Sequence, residues 1–190
     1  MAWEGPPSRP ACYPPGTTGD TEVQMFRRVE DFQKAWEQER ASTLKILGVL
    51  TDASLTQAVT KDDRTLGRLA WHLATTPGEM MERTGLKVAG PSHDAPPPAA
   101  AAAIVAVYET ASRAVADGVA GWTDATLEVE DEMYGEKWPR GLTLRALVVH
   151  QAHHRGQMTV LMRQAGLKVP GVYGPAREEW TGFGIQPPRT

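Results

Sequence analysis

A chain of 190 residues, 41% of them hydrophobic, is long enough to bury one ordinary core, and a second domain is not expected. A formal net charge of -3 with no cluster of Lys and Arg argues against a nucleic-acid partner, because phosphate binding needs concentrated basic charge. One cysteine excludes an internal disulfide, the N-terminus lacks a basic-then-apolar leader, and no apolar run could span a bilayer, so a cytoplasmic protein without membrane contact is expected.

Residues 1–20 contain Pro6, Pro7, Pro10, Pro14 and Pro15 and read as an irregular arm, with Cys12 an inert thiol. From Thr21 to about Leu50, the apolar positions Met25, Val29, Phe32, Trp36, Leu47 and Leu50 recur at helical spacing and predict the first helix. Its stripe turns polar midway, at Glu39, Arg40 and Thr43. These are expected to flank the core and reach water, the alternative being that Glu39 or Thr43 borders a polar cavity. Asp52 to Asp63 reads as a linker.

A second helix begins near Thr65 and carries Leu66, Leu69, His72, Leu73 and Thr76 along one side. Alone, His72 reads more readily as a hydrogen-bonded core residue than as a ligand. Thr76-Pro77-Gly78-Glu79 resembles a capping box with proline at the first helical position, which predicts a break or kink beyond His72 and a restart through Glu82. His93 falls in a Gly- and Pro-rich loop and is expected to be exposed. Pro98 to Val119 predicts a third helix with Ile104, Val105, Tyr108, Ala111 and Val115 inward. The acidic stretch between Gly121 and Gly141 suggests a hairpin turning near Tyr134-Gly135, with Glu128, Glu130, Asp131 and Glu132 on a solvated surface.

Thr143 to Gly166 predicts the fourth helix, with Thr143 as N-cap, Arg163 in the last turn and Gly166 as the C′ residue. Three of the five histidines lie in it. Thr143, Leu147, His150, His154, Gln157 and Leu161 share one stripe. His150 and His154 are one turn apart, a rise of roughly 6 Å, which lets two imidazoles converge on one cation. His150 and His153 could also share a ligand face. The tail after Gly166 is too rich in Gly and Pro for regular structure and is expected to lay Val172, Tyr173 and Trp180 across the other helices as a strap.

Four helices with short or irregular connections point to a four-helix bundle, whose interior commonly holds metals between facing helices. If the second and fourth helices are neighbours, His72 joins His150 and His154 in a three-histidine site with open positions for water or substrate. The motif H-x-x-H-H-R-G-Q at His150 to Gln157, the W-H-L around His72 and the VPGVYGP ending together resemble the DinB/YfiT-like family of metalloenzymes. The resemblance covers about residues 21–175 and leaves 1–20 as an arm and 176–190 as a C-terminal extension that packs on the bundle or is disordered. It implies an all-α, up-down-down-up four-helix bundle, frequent homodimers, and a divalent metal on His72, His150 and His154. Both the resemblance and the stripe favour His154 over His153 as ligand. Arg155 is expected to form a salt bridge to another helix, and Gln157 either to hydrogen-bond behind a ligand or simply to pack.

Imidazole ligands suit several transition metals, with zinc or nickel the expected ion. A metal-dependent enzyme acting on a small molecule is the leading functional reading. Some proteins resembling this fold use low-molecular-weight thiols for S-transfer or isomerisation, and hydrolysis is a sibling possibility for which only Glu39 offers a base. The alternative is a metal-binding stress or interaction protein in which the ion is structural.

Overall fold

The computed structural model describes residues 25–187. The proline-rich arm, Cys12 and the first residues of the expected Thr21 helix lie outside the described residues. Four long helices dominate: α1 (Val29–Leu47), α2 (Leu66–Glu82), α3 (Ala101–Ala120) and α4 (Arg140–Gln164). A two-stranded antiparallel hairpin, β1 (Glu130–Met133) and β2 (Glu136–Pro139), precedes α4. Among the described residues, no helix is long and apolar enough to cross a membrane.

The apolar residues segregate into two clusters, and these fix the directions of the helices. One gathers Ile46 and Leu47 of α1, Leu66 to Ala74 of α2, Ala101 to Tyr108 of α3, and Met158 to Met162 of α4. The other gathers Phe32 and Trp36, Met80 and Met81, Val115 and Val119, and Leu142 to Leu147. The first cluster thus takes the ends of α1 and α4 and the beginnings of α2 and α3, which is the up-down-down-up arrangement. Each of α1 and α2 packs mainly on α3 and α4, so α2 and α4 are neighbours.

Between the clusters lies a polar belt. Glu39, Ser42, Thr43, Ser112, Gln151, His154 and Arg155 are all buried there. Glu39 is therefore not a flank residue reaching water, as its sequence position suggested. Its carboxylate is 2.6 Å from the Arg155 guanidinium of α4 and accepts from the Tyr173 hydroxyl. Arg155 also donates to Thr43 Oγ1 at 2.8 Å and to the Tyr173 hydroxyl at 2.7 Å, giving the expected interhelical salt bridge and a tether for the tail. A buried ion pair is viable only with such additional hydrogen bonds, because desolvation otherwise outweighs the Coulombic gain.

The helix ends depart from expectation in instructive ways. Helix α2 does not break at Thr76-Pro77: it runs through Pro77 without interruption. Proline cannot donate to the carbonyl four residues back, which is that of Leu73. That oxygen is approached by the Gln151 side-chain amide from α4 at 3.5 Å. The Thr75 and Thr76 hydroxyls donate to the carbonyls of Trp71 and His72 at 2.9 and 2.6 Å, so side chains take over around the lesion.

Helix α4 begins at Arg140, a turn before the expected cap Thr143, which is itself buried inside the helix. The hairpin feeds directly into it: the Arg140 amide donates to the Val129 carbonyl at 2.9 Å, and its guanidinium grips Asp131 with two bonds of 2.8 and 3.2 Å. A Cβ at Gly141 would stand 2.1 Å from the Phe26 carbonyl oxygen, so the segment that leads into α1 packs there only against glycine. At the other end Gly166 is the C′ residue with φ +74, and the amides of Leu167 and Gly166 donate to the carbonyls of Met162 and Arg163, a complete Schellman motif.

Smaller differences follow the same logic. The expected linker after α1 contains a 3-10 turn at Asp52–Thr56, and its Asp52 carboxylate accepts from the Ala101 amide at 2.7 Å, capping α3 from outside. The hairpin turns at Tyr134-Gly135 as expected, both with positive φ. In the tail, Val169 is buried and Val172 packs on the first cluster, but Trp180 opens a 3-10 turn (Trp180–Phe183) and belongs to neither cluster.

The belt yields a stability prediction. Arg155→Met should destabilise the protein by about 3–5 kcal/mol in chemical denaturation, because it strands the buried Glu39 carboxylate. Adding Glu39→Gln to that variant should recover a large part of the loss.

Candidate metal centre

His72 projects from the middle of α2, and His150 and His154 from successive turns of α4. Because α2 and α4 are neighbours, the three rings meet at the level of the polar belt. Nε2 of His150 is 3.1 Å from Nε2 of His72 and 3.1 Å from Nε2 of His154. One nitrogen from each of the three lies within 4.8 Å of those of the others. Nitrogens bound to one tetrahedral zinc at about 2.0–2.1 Å stand roughly 3.3 Å apart, so the observed spacing suits a shared cation. The ring planes cross at 68°, 71° and 87°, so the rings meet edge to face and do not stack.

Tautomers make the same point. Gln157 Oε1 accepts from His154 Nδ1–H at 2.7 Å, which leaves Nε2 of His154 as a bare lone pair. A proton on His150 Nε2 could satisfy only one of its two neighbours, so the cluster cannot complete its own hydrogen bonds. A cation at the centre answers all three lone pairs. His72 Nδ1 faces the Thr76 hydroxyl at 3.5 Å, and that hydroxyl donates to the His72 carbonyl, so only its lone pairs are available to the ring. His150 Nδ1 is buried and meets no hydrogen-bond partner among the described residues.

Burial is the main reason that all three imidazoles resist protonation. It pushes His72 down to about 4 and His150 to about 3, and it lowers His154, with repulsion between the rings adding to the effect for the first two. The neutral ring is the form that binds metal.

A cleft of about 540 Å³ opens over the cluster, lined by Arg64, Thr76, Glu79, Met80, Tyr134 and Trp138 among others. The hairpin supplies the last two. Tyr134 donates to Glu79 at 2.9 Å, its ring lies 4.6 Å under the Arg83 guanidinium, and it meets Trp138 edge-on at 5.9 Å.

Of the residues singled out in the sequence, His72, His150 and His154 come together and His153 does not join them. His153 is exposed, and Gln157 Nε2 lies 3.2 Å from its Nε2, so one amide orients His154 and holds its neighbour aside. Glu39 is not among the residues lining the cleft, being engaged by Arg155 and Tyr173. His93 is exposed, 3.2 Å from Asp94, yet it lines the rim. Sequence reasoning missed Arg64, Glu79, Tyr134 and Trp138 as cleft residues. The Tyr134-Gly135 turn was the available signal, since a hairpin entering α4 directly must fold over that helix's first turns.

The description DinB family matches residues 25–190 of the chain. The chain belongs to this family. It is 46% identical over 166 residues to the uncharacterized protein YrdA of Bacillus subtilis (strain 168), spanning 87% of this chain and 99% of YrdA. A crystal structure of a DinB-like protein from Bacillus cereus ATCC 10987 superposes with a TM-score of 0.76 at 44% identity, covering 78% of this chain and 100% of that one. The DinB-like protein YjoA from Bacillus subtilis shares the fold at 14% identity, with a TM-score of 0.59 over 75% of this chain and 97% of its own.

The depressed histidines predict how the metal-free protein responds to acid. In the unfolded chain these side chains take up protons near pH 6.5, whereas in the folded protein His72 does so only near pH 4 and His150 near pH 3, with His154 lowered as well. Above pH 6.5 neither state binds them and the cluster imposes no pH dependence. As pH falls below 6.5 the unfolded state gains protons first, so stability should drop progressively down to about pH 4 in urea denaturation of chelator-treated protein. Replacing His72 and His150 by glutamine should flatten that slope.

Proposed function

We propose that His72, His150 and His154 hold one divalent transition metal, zinc or nickel, and that the protein is a metal-dependent enzyme acting on a small molecule in the cleft above them. The observation that carries the reading is the convergence of three neutral imidazoles whose lone pairs cannot satisfy one another. Two helices supply the donors, and the open side of the cluster faces a cleft large enough for a metabolite. Bound there, a divalent cation would lower the pKa of a water or thiol that reaches it.

The chain's own residues divide the remaining work. Gln157 fixes the tautomer of His154, and Met80, Trp138, Ala146 and Val149 give the cleft an apolar lining that limits water. Glu79 is the carboxylate lining the cleft, and it is already bonded to Tyr134 and Arg83. With no free carboxylate lining the cleft among the described residues, a thiol that ionises readily suits the site better than water that needs deprotonating. This supports thiol-dependent S-transfer or isomerisation over hydrolysis. The proposal includes action in the cytoplasm as a homodimer, following the family resemblance.

Elemental analysis of protein purified without a histidine tag tests the reading. About one equivalent of zinc or nickel is expected, and below about a tenth of an equivalent the proposal fails. His72→Ala, His150→Ala and His154→Ala should each weaken metal binding at least a hundredfold, on the order of the loss of one of three ligands, while His153→Ala should not. If chelation unfolds the bundle and no thiol substrate turns over, the metal is a structural tie between α2 and α4 in a stress or interaction protein.

A further inference from the structure

The charged side chains around the cleft do not balance. Glu79 is engaged by Tyr134 at 2.9 Å and by Arg83 at 3.2 Å, so its charge is already met. Arg64 is in the opposite condition. It sits immediately before Thr65, the N-cap of α2, with its side chain exposed at the mouth of the cleft. Among the described residues it forms neither a hydrogen bond nor an ion pair. Its near neighbour Asp63 is turned away, accepting from the amide and hydroxyl of Thr60 at 3.1 and 2.8 Å. The Arg64 guanidinium is nonetheless close enough to the cluster to disfavour protonation of His72, His150 and His154 alike.

An unpaired guanidinium beside three uncharged imidazoles makes the cleft mouth positive, and a cation on those imidazoles would make it more so. Among the described residues lining the cleft, the one carboxylate is Glu79, and it is already paired with Arg83. A ligand carrying its own negative charge would offset the excess. The guanidinium fork matches a carboxylate with two parallel hydrogen bonds, a geometry that a point-like ammonium cannot reproduce. Elsewhere the cleft lining is partly apolar, at Met80, Ala146 and Val149, which suits a ligand with a hydrocarbon part.

We infer that Arg64 anchors the carboxylate of a small anionic substrate or cosubstrate, leaving the other end of that molecule to reach the histidine cluster. The inference rests on the metal reading above and adds to it the charge class of the ligand and the residue that selects it. Arg64 is here a binding residue that acts on the part of the molecule away from the reacting end.

Cobalt-loaded protein provides the test, because sulfur reaching Co(II) produces a charge-transfer absorption that can be titrated. Two probes are compared, 3-mercaptopropionate, which carries a carboxylate, and 2-mercaptoethanol, which does not. The quantity read is the ratio of their affinities, measured in the native protein, in Arg64→Gln and in Arg64→Lys. Attraction of the carboxylate to the metal and differences in thiol acidity are common to all three and cancel. The preference for 3-mercaptopropionate should fall about five- to tenfold in Arg64→Gln, the scale of one partly solvated charge-assisted pair, and by less in Arg64→Lys. Cobalt content and far-ultraviolet circular dichroism should be unchanged in both variants. An unchanged ratio in Arg64→Gln overturns the anchor while leaving the metal reading intact. Cobalt uptake with no sulfur signal from either probe also overturns it, since the cleft would then not admit small ligands to the histidines. Failure to take up cobalt defeats the metal reading and the anchor together.

Discussion

The buried pairing of Glu39 with Arg155 is the contact on which the middle of this bundle depends. Two opposite charges withdrawn from water are tolerable only if their remaining hydrogen-bonding capacity is met, and here Thr43 and Tyr173 meet it. The pair joins α1 to α4 and splits the apolar interior into two clusters, one at each end. That split creates a level in the bundle where polar side chains are normal occupants, and the histidine cluster occupies the same level on the side of α2. His154 and Arg155 are consecutive residues of α4. They point to different partners, one into the cleft and one into the salt bridge, so a single stretch of helix serves both the framework and the site.

Much of this was legible in the sequence because periodicity reports which face of a helix is buried. The four helices, the hairpin turn, the Gly166 stop and the pairing of His150 with His154 follow from spacing or from local turn chemistry, whereas His72 joins them only if α2 and α4 are neighbours, or through the family resemblance. The helix boundaries that misled were those decided by distant partners. Thr76-Pro77-Gly78-Glu79 has the local grammar of a helix start, but Gln151, 78 residues away, approaches the orphaned Leu73 carbonyl, and the helix continues. Thr143 has the side chain of a cap, but the hairpin and the Phe26 backbone draw the helix back to Arg140.

The misreading of Glu39 has the same origin. A carboxylate on an apolar stripe is costly to bury alone, so sequence logic sends it to water. The stabilising partners come from α4 and the tail, and nothing local to Glu39 announces them. The cleft residues Arg64, Glu79 and Trp138 were missed for a related reason: an ordinary polar or aromatic residue acquires a role only through the neighbours that the fold supplies.

Gln151 carries a consequence of its own. It follows His150 directly on α4, and its amide meets the carbonyl of Leu73, which follows His72 directly on α2. The two contacts between these helices, imidazole to imidazole and amide to carbonyl, are thus adjacent on both helices and behave as two pins through one hinge plate. A slide of either helix by a single residue, roughly 1.5 Å, would withdraw both pins at once. The proline that looked like a fracture in α2 instead exposes the acceptor that sets the vertical alignment of the two helices, and with it the spacing of the histidines.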